Sequence, residues 1–311
     1  MTRTHRFLLL TAFCLGVLGA AEPATKLRLL VVGNSFSGNA LHFFPDLVSA
    51  AGCAVEVKHL MVGGSPLKLH WTMAETALRD PQDPKGRYGE NGKNGSLPEN
   101  LDQGPWDAVT IQQYSKEAHD PATYRPFADK LVALIRERAP KARLCIHQTW
   151  AYRKDDPRFG TGPSNDLPDA EEMHRRVRAA YVGVAKDLSL DIMPVGEAFH
   201  LVATDPVWGF AIDPAWNSKT AVFPALPDQS HSLNVGWSWS EKDKKKVIAY
   251  DGHHANRNGE YVAGCVWFEV LFHRSVVGNA FHPKDMSAED AAFLQQAAHK
   301  AVEAENAAPV K

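Results

Sequence analysis

The chain predicts an α/β fold, with about five parallel strands and helices on both faces of the sheet. Two observations carry that expectation. Apolar runs of strand length alternate with stretches of helical periodicity from residue 26 to about residue 200. The first run, "KLRLLVVGN" (26–34), is continuously apolar, as a strand covered on both faces must be. With 311 residues, 44% of them hydrophobic and 23% charged, the chain has material for one large core.

The elements follow in order. After the strand at 26–34, residues 39–51 read as a helix in which Pro45 must sit near the start or make a kink. "AVEVKHLMVGG" (54–64) is a second strand, and a helix follows over about 67–78. Residues 80–105 are polar and rich in glycine and proline, which predicts a surface loop. "WDAVTIQQY" (106–114) is a third strand, 122–138 a helix, and "ARLCIHQTW" (142–150) a fourth strand. A helix at 169–188 begins with acidic residues, and "LDIMPVGEAF" (190–199) reads as a short fifth strand running into a turn. Residues 201–249 form an irregular insertion carrying Trp208, Phe210, Trp216, Phe223, Trp237 and Trp239, and a last helix spans about 256–274. One domain from 22 to 311, with insertions near 80–105 and 201–249, accounts for these signals.

The first 21 residues read as a signal peptide. Basic residues at Arg3 and Arg6 precede an apolar run from Phe7 to Leu18 that is too short to span a bilayer, and Ala20 and Ala21 offer small residues for cleavage. The mature protein is therefore expected to be periplasmic or secreted, without stable membrane insertion. Cys53, Cys145 and Cys265 are widely spaced in apolar surroundings and read as small buried residues, with one bridge at most. A net charge of −2, from 34 basic and 36 acidic residues, gives no electrostatic case for nucleic acid.

Two short stretches carry the chemistry. "GNSFSGNA" (33–40) ends the first strand, and ligands of open parallel sheets bind beyond the carboxyl ends of the strands. Ser35 there is either the cap of the next helix or a nucleophile. "YDGHHANRNGEYVAG" (250–264) offers the base: Asp251 and His254 are three apart on what reads as a turn before the last helix. That spacing lets a carboxylate orient one imidazole nitrogen while the other faces out. His253 is the neighbouring competitor. The serine turn lacks the second glycine of G-x-S-x-G, the lysine of a phosphate-binding loop and the G-x-G-x-x-G of a dinucleotide site. No H-E-x-x-H or paired-cysteine motif asks for a metal, and no cofactor is expected.

Together these residues resemble the SGNH hydrolase superfamily, the GDSL-type esterases. Gly33-Asn34-Ser35 is similar to the family's strand-terminal G-D-S, and Asp251-Gly252-His253-His254 matches its D-x-x-H. "WDAVTIQQYS" and "HQTWAY" resemble a branch found in bacteria that degrade polysaccharides. The resemblance implies a flavodoxin-like, three-layer α/β/α sandwich. It also implies Ser35 as nucleophile, His254 as general base and Asp251 as its orienting partner. An oxyanion-hole glycine is implied at Gly64, with Gly63 as the fallback. The family's asparagine donor is missing; Gln113, ahead of Gln112, is the expected replacement. Asn34, Gln112, Gln148 and Trp150 are expected pocket-lining residues, whereas His70 and Trp71 read as packing residues. The implied activity is hydrolysis of O-acyl, above all O-acetyl, esters on carbohydrates, with the aromatic insertion either holding sugar or packing against the sheet. The alternatives are a lipase-like or aryl esterase, or a non-catalytic carbohydrate-binding protein on the same fold.

Overall fold

The computed structural model describes residues 25–161 and 167–307. The expected signal peptide lies outside the described residues. Five strands form one parallel sheet in the order β2-β1-β3-β4-β5: β1 Lys26–Gly33, β2 Ala54–Met61, β3 Ala108–Ile111, β4 Arg143–His147 and β5 Asp191–Met193. This is the flavodoxin-like order, with the chain reversing its direction of travel at β1 and β3. Leu29, Leu30, Val31 and Val32 are buried because helices cover both faces.

One helical layer is built from α1 Ser35–Leu41, α2 Phe44–Ala50, α8 Arg257–Phe272 and α9 Ala288–Ala307, with α7 Val195–Ala203 packed on α8 and α9. The other holds α3 Leu67–Arg79, α4 Leu97–Asp102, α5 Phe127–Arg138 and α6 Ala170–Leu188. The α8 helix is apolar around most of its circumference, with Val262, Cys265, Val266, Trp267 and Phe268 all buried, as a helix surrounded by other elements requires.

Several boundaries differ from expectation. The helix expected at 39–51 is two helices: α1 stops at Leu41, and Pro45 sits in the first turn of α2, where its missing N–H costs nothing. The loop expected at 80–105 contains α4, started by a capping box between Ser96 and Glu99, and it buries Tyr88, Leu97 and Leu101. The turn expected after the fifth strand is the helix α7. The irregular insertion ends in an antiparallel hairpin, β6 Asn234–Lys242 and β7 Lys245–Ala255, so the D-x-x-H motif lies on a strand and not on a turn. The chain also continues past α8 into α9. Cys53, Cys145 and Cys265 are free thiols, the last two fully buried.

Candidate active site

The serine turn is built by its neighbour. Asn34 is buried and caps α1: its Oδ1 accepts from the N–H of Phe36 at 3.1 Å and from Nε2 of Gln112 at 2.7 Å. Its Nδ2 donates to the carbonyl of Ser65 at 3.0 Å. One side chain thus ties the end of β1 to the end of β3 and to the glycine loop after β2. Gln112 and Asn34 are buried braces of the turn and do not line an open pocket.

Ser35 is the first residue of α1, and its Oγ lies 2.8 Å from Nε2 of His254. Nδ1 of His254 lies 2.8 Å from Oδ2 of Asp251. The structure therefore brings Ser35, His254 and Asp251 into one line from residues more than two hundred positions apart. His253 does not reach Ser35 in that way; its Nδ1 points at Oδ1 of the same carboxylate, 2.8 Å away. Asp251 Oδ1 also accepts the backbone N–H groups of His253 and His254, at 3.1 and 3.0 Å. Burial works to raise the Asp251 pKa, but the hydrogen bonds from both histidines outweigh it and hold the carboxyl well below the usual carboxylate range. Asp251, His253 and His254 are also close enough together to hold a cation. The contact of His254 Nε2 with a serine hydroxyl favours a proton relay instead.

Beneath this line lies a stack of rings. Trp150 is fully buried between Phe36 and Phe199, with centroid separations of 4.2 and 4.4 Å, and its indole N–H donates to the carbonyl of His253 at 2.9 Å. Trp150 supports the histidine segment of β7 from below and does not line the pocket. Gln148, expected beside it, is also buried, and its Nε2 donates to Glu197 at 3.1 Å. His70 and Trp71 are packing residues: His70 is buried between Ser65 Oγ at 2.7 Å and the Tyr88 hydroxyl at 2.8 Å, and Lys130 lies over the Trp71 ring.

The oxyanion side differs from expectation. Gly64 occupies a left-handed conformation at φ +62°, directly before Ser65, whose carbonyl Asn34 holds. Its N–H donates to no other group among the described residues. Gln113, however, spends its whole amide elsewhere. Its Oε1 accepts from the N–H groups of Leu67 and Tyr114, at 3.0 and 2.9 Å, and its Nε2 donates to the carbonyl of Thr123 at 3.0 Å. Turning the amide over would set NH₂ against two N–H donors, so its orientation is fixed. Gln113 is a bracket with no donor left for substrate, and Gln112 is a buried brace that commits an amide N–H to Asn34.

Sequence reasoning missed the clasp on the hairpin. Arg153 is buried; its guanidinium pairs with Asp155 at 2.6 Å, donates to Gln229 at 2.6 Å, and lies over the rings of Phe210 and Tyr250 at 4.3 and 5.3 Å. Its backbone N–H donates to the carbonyl of Gly252, within the D-x-x-H motif, at 2.8 Å. Gly236, at φ +72°, leaves the space that the guanidinium fills. No sequence signal separates this arginine from a surface one. The insertion's rings mostly pack: Trp208 stacks on His231 and Phe293, Trp216 meets Trp237, and Phe223 meets Trp239. A cavity of about 270 Å³ is lined by Tyr152, Phe199, Phe210, His231 and Leu233, but neither Ser35 nor His254 reaches it.

Among the described residues no helix is long and apolar enough to cross a membrane. No functionally curated protein matches the chain. Among solved structures, a DUF4886 family protein from Bacteroides uniformis superposes with a TM-score of 0.68 at 24% identity, over 89% of this chain and 95% of that one. The likeness is one of fold. A candidate SGNH hydrolase from Slackia heliotrinireducens follows at TM-score 0.47 and 19% identity, over 79% of this chain and all (100%) of that one. A candidate GDSL-like lipase from Parabacteroides merdae gives 0.46 and 10%, over 81% and 98%. These two looser likenesses carry no weight for function. The strand order, the serine turn after β1 and the D-x-x-H segment before α8 are together an SGNH/GDSL-like arrangement. The model of a domain of unknown function, DUF4886, matches residues 28–200 and 234–301, and the chain belongs to that family.

Proposed function

We propose that this protein is an exported serine esterase that removes short O-acyl groups, acetyl foremost, from carbohydrates. The observation that carries the reading is the line from Ser35 Oγ through His254 to Asp251, with both contacts at 2.8 Å. His254 Nε2 takes the hydroxyl proton as Ser35 Oγ attacks the ester carbonyl, and Asp251 stabilises the imidazolium that forms. The negative charge on the former carbonyl oxygen is met by the backbone N–H groups of Ser35 and Gly64. His254 then gives its proton to the departing sugar hydroxyl as the ester C–O bond breaks, leaving Ser35 acylated. Water attacks the acyl-enzyme by the same route in reverse, giving the free acid and restoring the serine.

Substrate class rests on the motif resemblance and on the aromatic insertion, where Phe223 keeps half its surface exposed and Trp239 is partly exposed beside it. A ring with one free face suits a sugar. Labelling with a fluorophosphonate probe tests the chemistry. Wild-type protein should be modified at Ser35 and Ser35→Ala left unmodified; a folded wild type that resists the probe and hydrolyses no p-nitrophenyl acetate would refute the esterase reading. A profile over p-nitrophenyl esters, with acetate release from acetylated oligosaccharides, tests the substrate. Preference for chains of about eight carbons or more would overturn the carbohydrate assignment.

A further inference from the structure

The glycine loop and the end of β3 are stitched together around one unused hydroxyl. Val62 N–H donates to the Gly33 carbonyl at 3.1 Å, and Asn34 Nδ2 to the Ser65 carbonyl at 3.0 Å, so the 62–65 loop lies directly against the serine turn. Gln113 then fastens the start of α3, two residues beyond that loop, to the segment after β3, its Oε1 accepting from both Leu67 N–H and Tyr114 N–H. The result is that the Tyr114 ring lies over Gly64. A Cβ built on Gly64 would sit 3.8 Å from Cε2 and 3.9 Å from both Cζ and the hydroxyl oxygen of Tyr114. The phenol end of the side chain, and not its Cβ end, is what meets the glycine.

That hydroxyl has no hydrogen-bond partner among the described residues, although Tyr114 is partly buried. The buried hydroxyls nearby behave differently: Tyr152 meets Ser115 at 3.1 Å, and Tyr88 meets His70 at 2.8 Å. Tyr114 thus presents an open O–H donor beside an open backbone N–H donor, on a loop tied to the nucleophile's turn.

We propose that the Tyr114 hydroxyl donates the third hydrogen bond to the oxyanion, completing the hole with the N–H groups of Ser35 and Gly64 in place of a side-chain amide. The inference rests on the esterase reading. Donors aimed at developing charge act most strongly when they are held in place before reaction. Gln113 provides the holding: it fixes the backbone of Tyr114 and of Leu67, just past the glycine loop, through one oxygen.

The test is Tyr114→Phe, which keeps the ring over Gly64 and removes one oxygen that has no partner in the folded protein. With p-nitrophenyl acetate, kcat should fall about 10²-fold, the lower end for loss of one such donor, while KM stays within about threefold. Phosphonylation of Ser35 should slow in parallel, and the thermal midpoint should not move. A Tyr114→Phe enzyme with kcat within about threefold of wild type would overturn the assignment and leave the esterase reading intact. A rise in KM with unchanged kcat would also overturn it, since the hydroxyl would then serve ground-state binding alone. Wild-type protein with neither turnover nor labelling would remove both proposals together.

Discussion

Replacing Asp251 by asparagine separates orientation of the base from its presence. The outcome can be worked from the hydrogen bonds. Oδ1 of Asp251 faces three donors, the N–H groups of His253 and His254 and Nδ1 of His253, whereas Oδ2 faces only Nδ1 of His254. An asparagine must therefore keep its oxygen at the Oδ1 position and turn its NH₂ toward His254 Nδ1. The imidazole then loses its proton at Nδ1 and carries it at Nε2, the atom 2.8 Å from Ser35 Oγ. A base that already bears the proton cannot accept the serine's. The same wrong-tautomer substitution in a serine protease lowers kcat by about 10⁴. A loss of that order is expected here, about 5.4 kcal/mol at 1.36 kcal/mol per tenfold. His254→Ala should cost more, because it removes the proton acceptor altogether. The assay is the pH–rate profile of p-nitrophenyl acetate hydrolysis, with circular dichroism and thermal melts to show that both variants fold. Asp251→Asn within tenfold of wild type at pH 7 would refute the argument. The melts carry a second signature. The native carboxyl's pKa is depressed below its ordinary 3.8, so its stabilisation is present above that value and is lost as pH falls through the folded-state value. Asp251→Asn should lose this contribution at neutral pH and show a correspondingly weaker acid dependence of stability.

Gln113→Ala should lower the thermal midpoint, because it leaves the N–H groups of Leu67 and Tyr114 without their acceptor, at about 1–3 kcal/mol for each group that water does not reach. An unchanged melt with a large kcat loss would return Gln113 to the oxyanion hole. Arg153→Met should destabilise by about 3 kcal/mol, since Asp155 and Gln229 lose a buried charged partner. It should also lower kcat through the loosened D-x-x-H segment, and a melt within 1 °C of wild type, by the midpoint shift expected of about that energy, would show that the clasp is not formed in solution.

The legible parts of the fold were those written in buried apolar runs. Strands β1, β3 and β4 stand out because each is a largely apolar run covered on both faces, whereas β2, at the sheet edge, is only partly covered. The hairpin was obscured by its turn: Asp243 and Lys244 both take positive φ, at 52° and 60°, without the Asn-Gly pair that signals such turns. The α4 helix carried a readable capping box at Ser96 and Glu99, but glycine and proline on either side masked it. Order and spacing were enough to single out Ser35, His254 and Asp251, three residues that the fold brings within hydrogen-bond reach of one another. They could not select the donor after β3, because Gln112, Gln113 and Tyr114 are consecutive. Which of the three faces Gly64 depends on Leu67 and Thr123, whose proximity exists only in three dimensions.

The stack of Phe36, Trp150 and Phe199 has a consequence for how the protein fails on heating. Phe36 belongs to the helix that starts at Ser35, and Trp150 holds the carbonyl of His253, so one aromatic platform lies under both the serine turn and the His254 segment. Fraying of the hairpin's outer end leaves that platform intact, and drawing the His253 carbonyl away from the Ser35 helix requires Trp150 itself to be dislodged from the core. With the clasp and the stack both intact, inactivation should then track the loss of core packing around Trp150, read by its fluorescence, and not the earlier fraying of the hairpin's outer end.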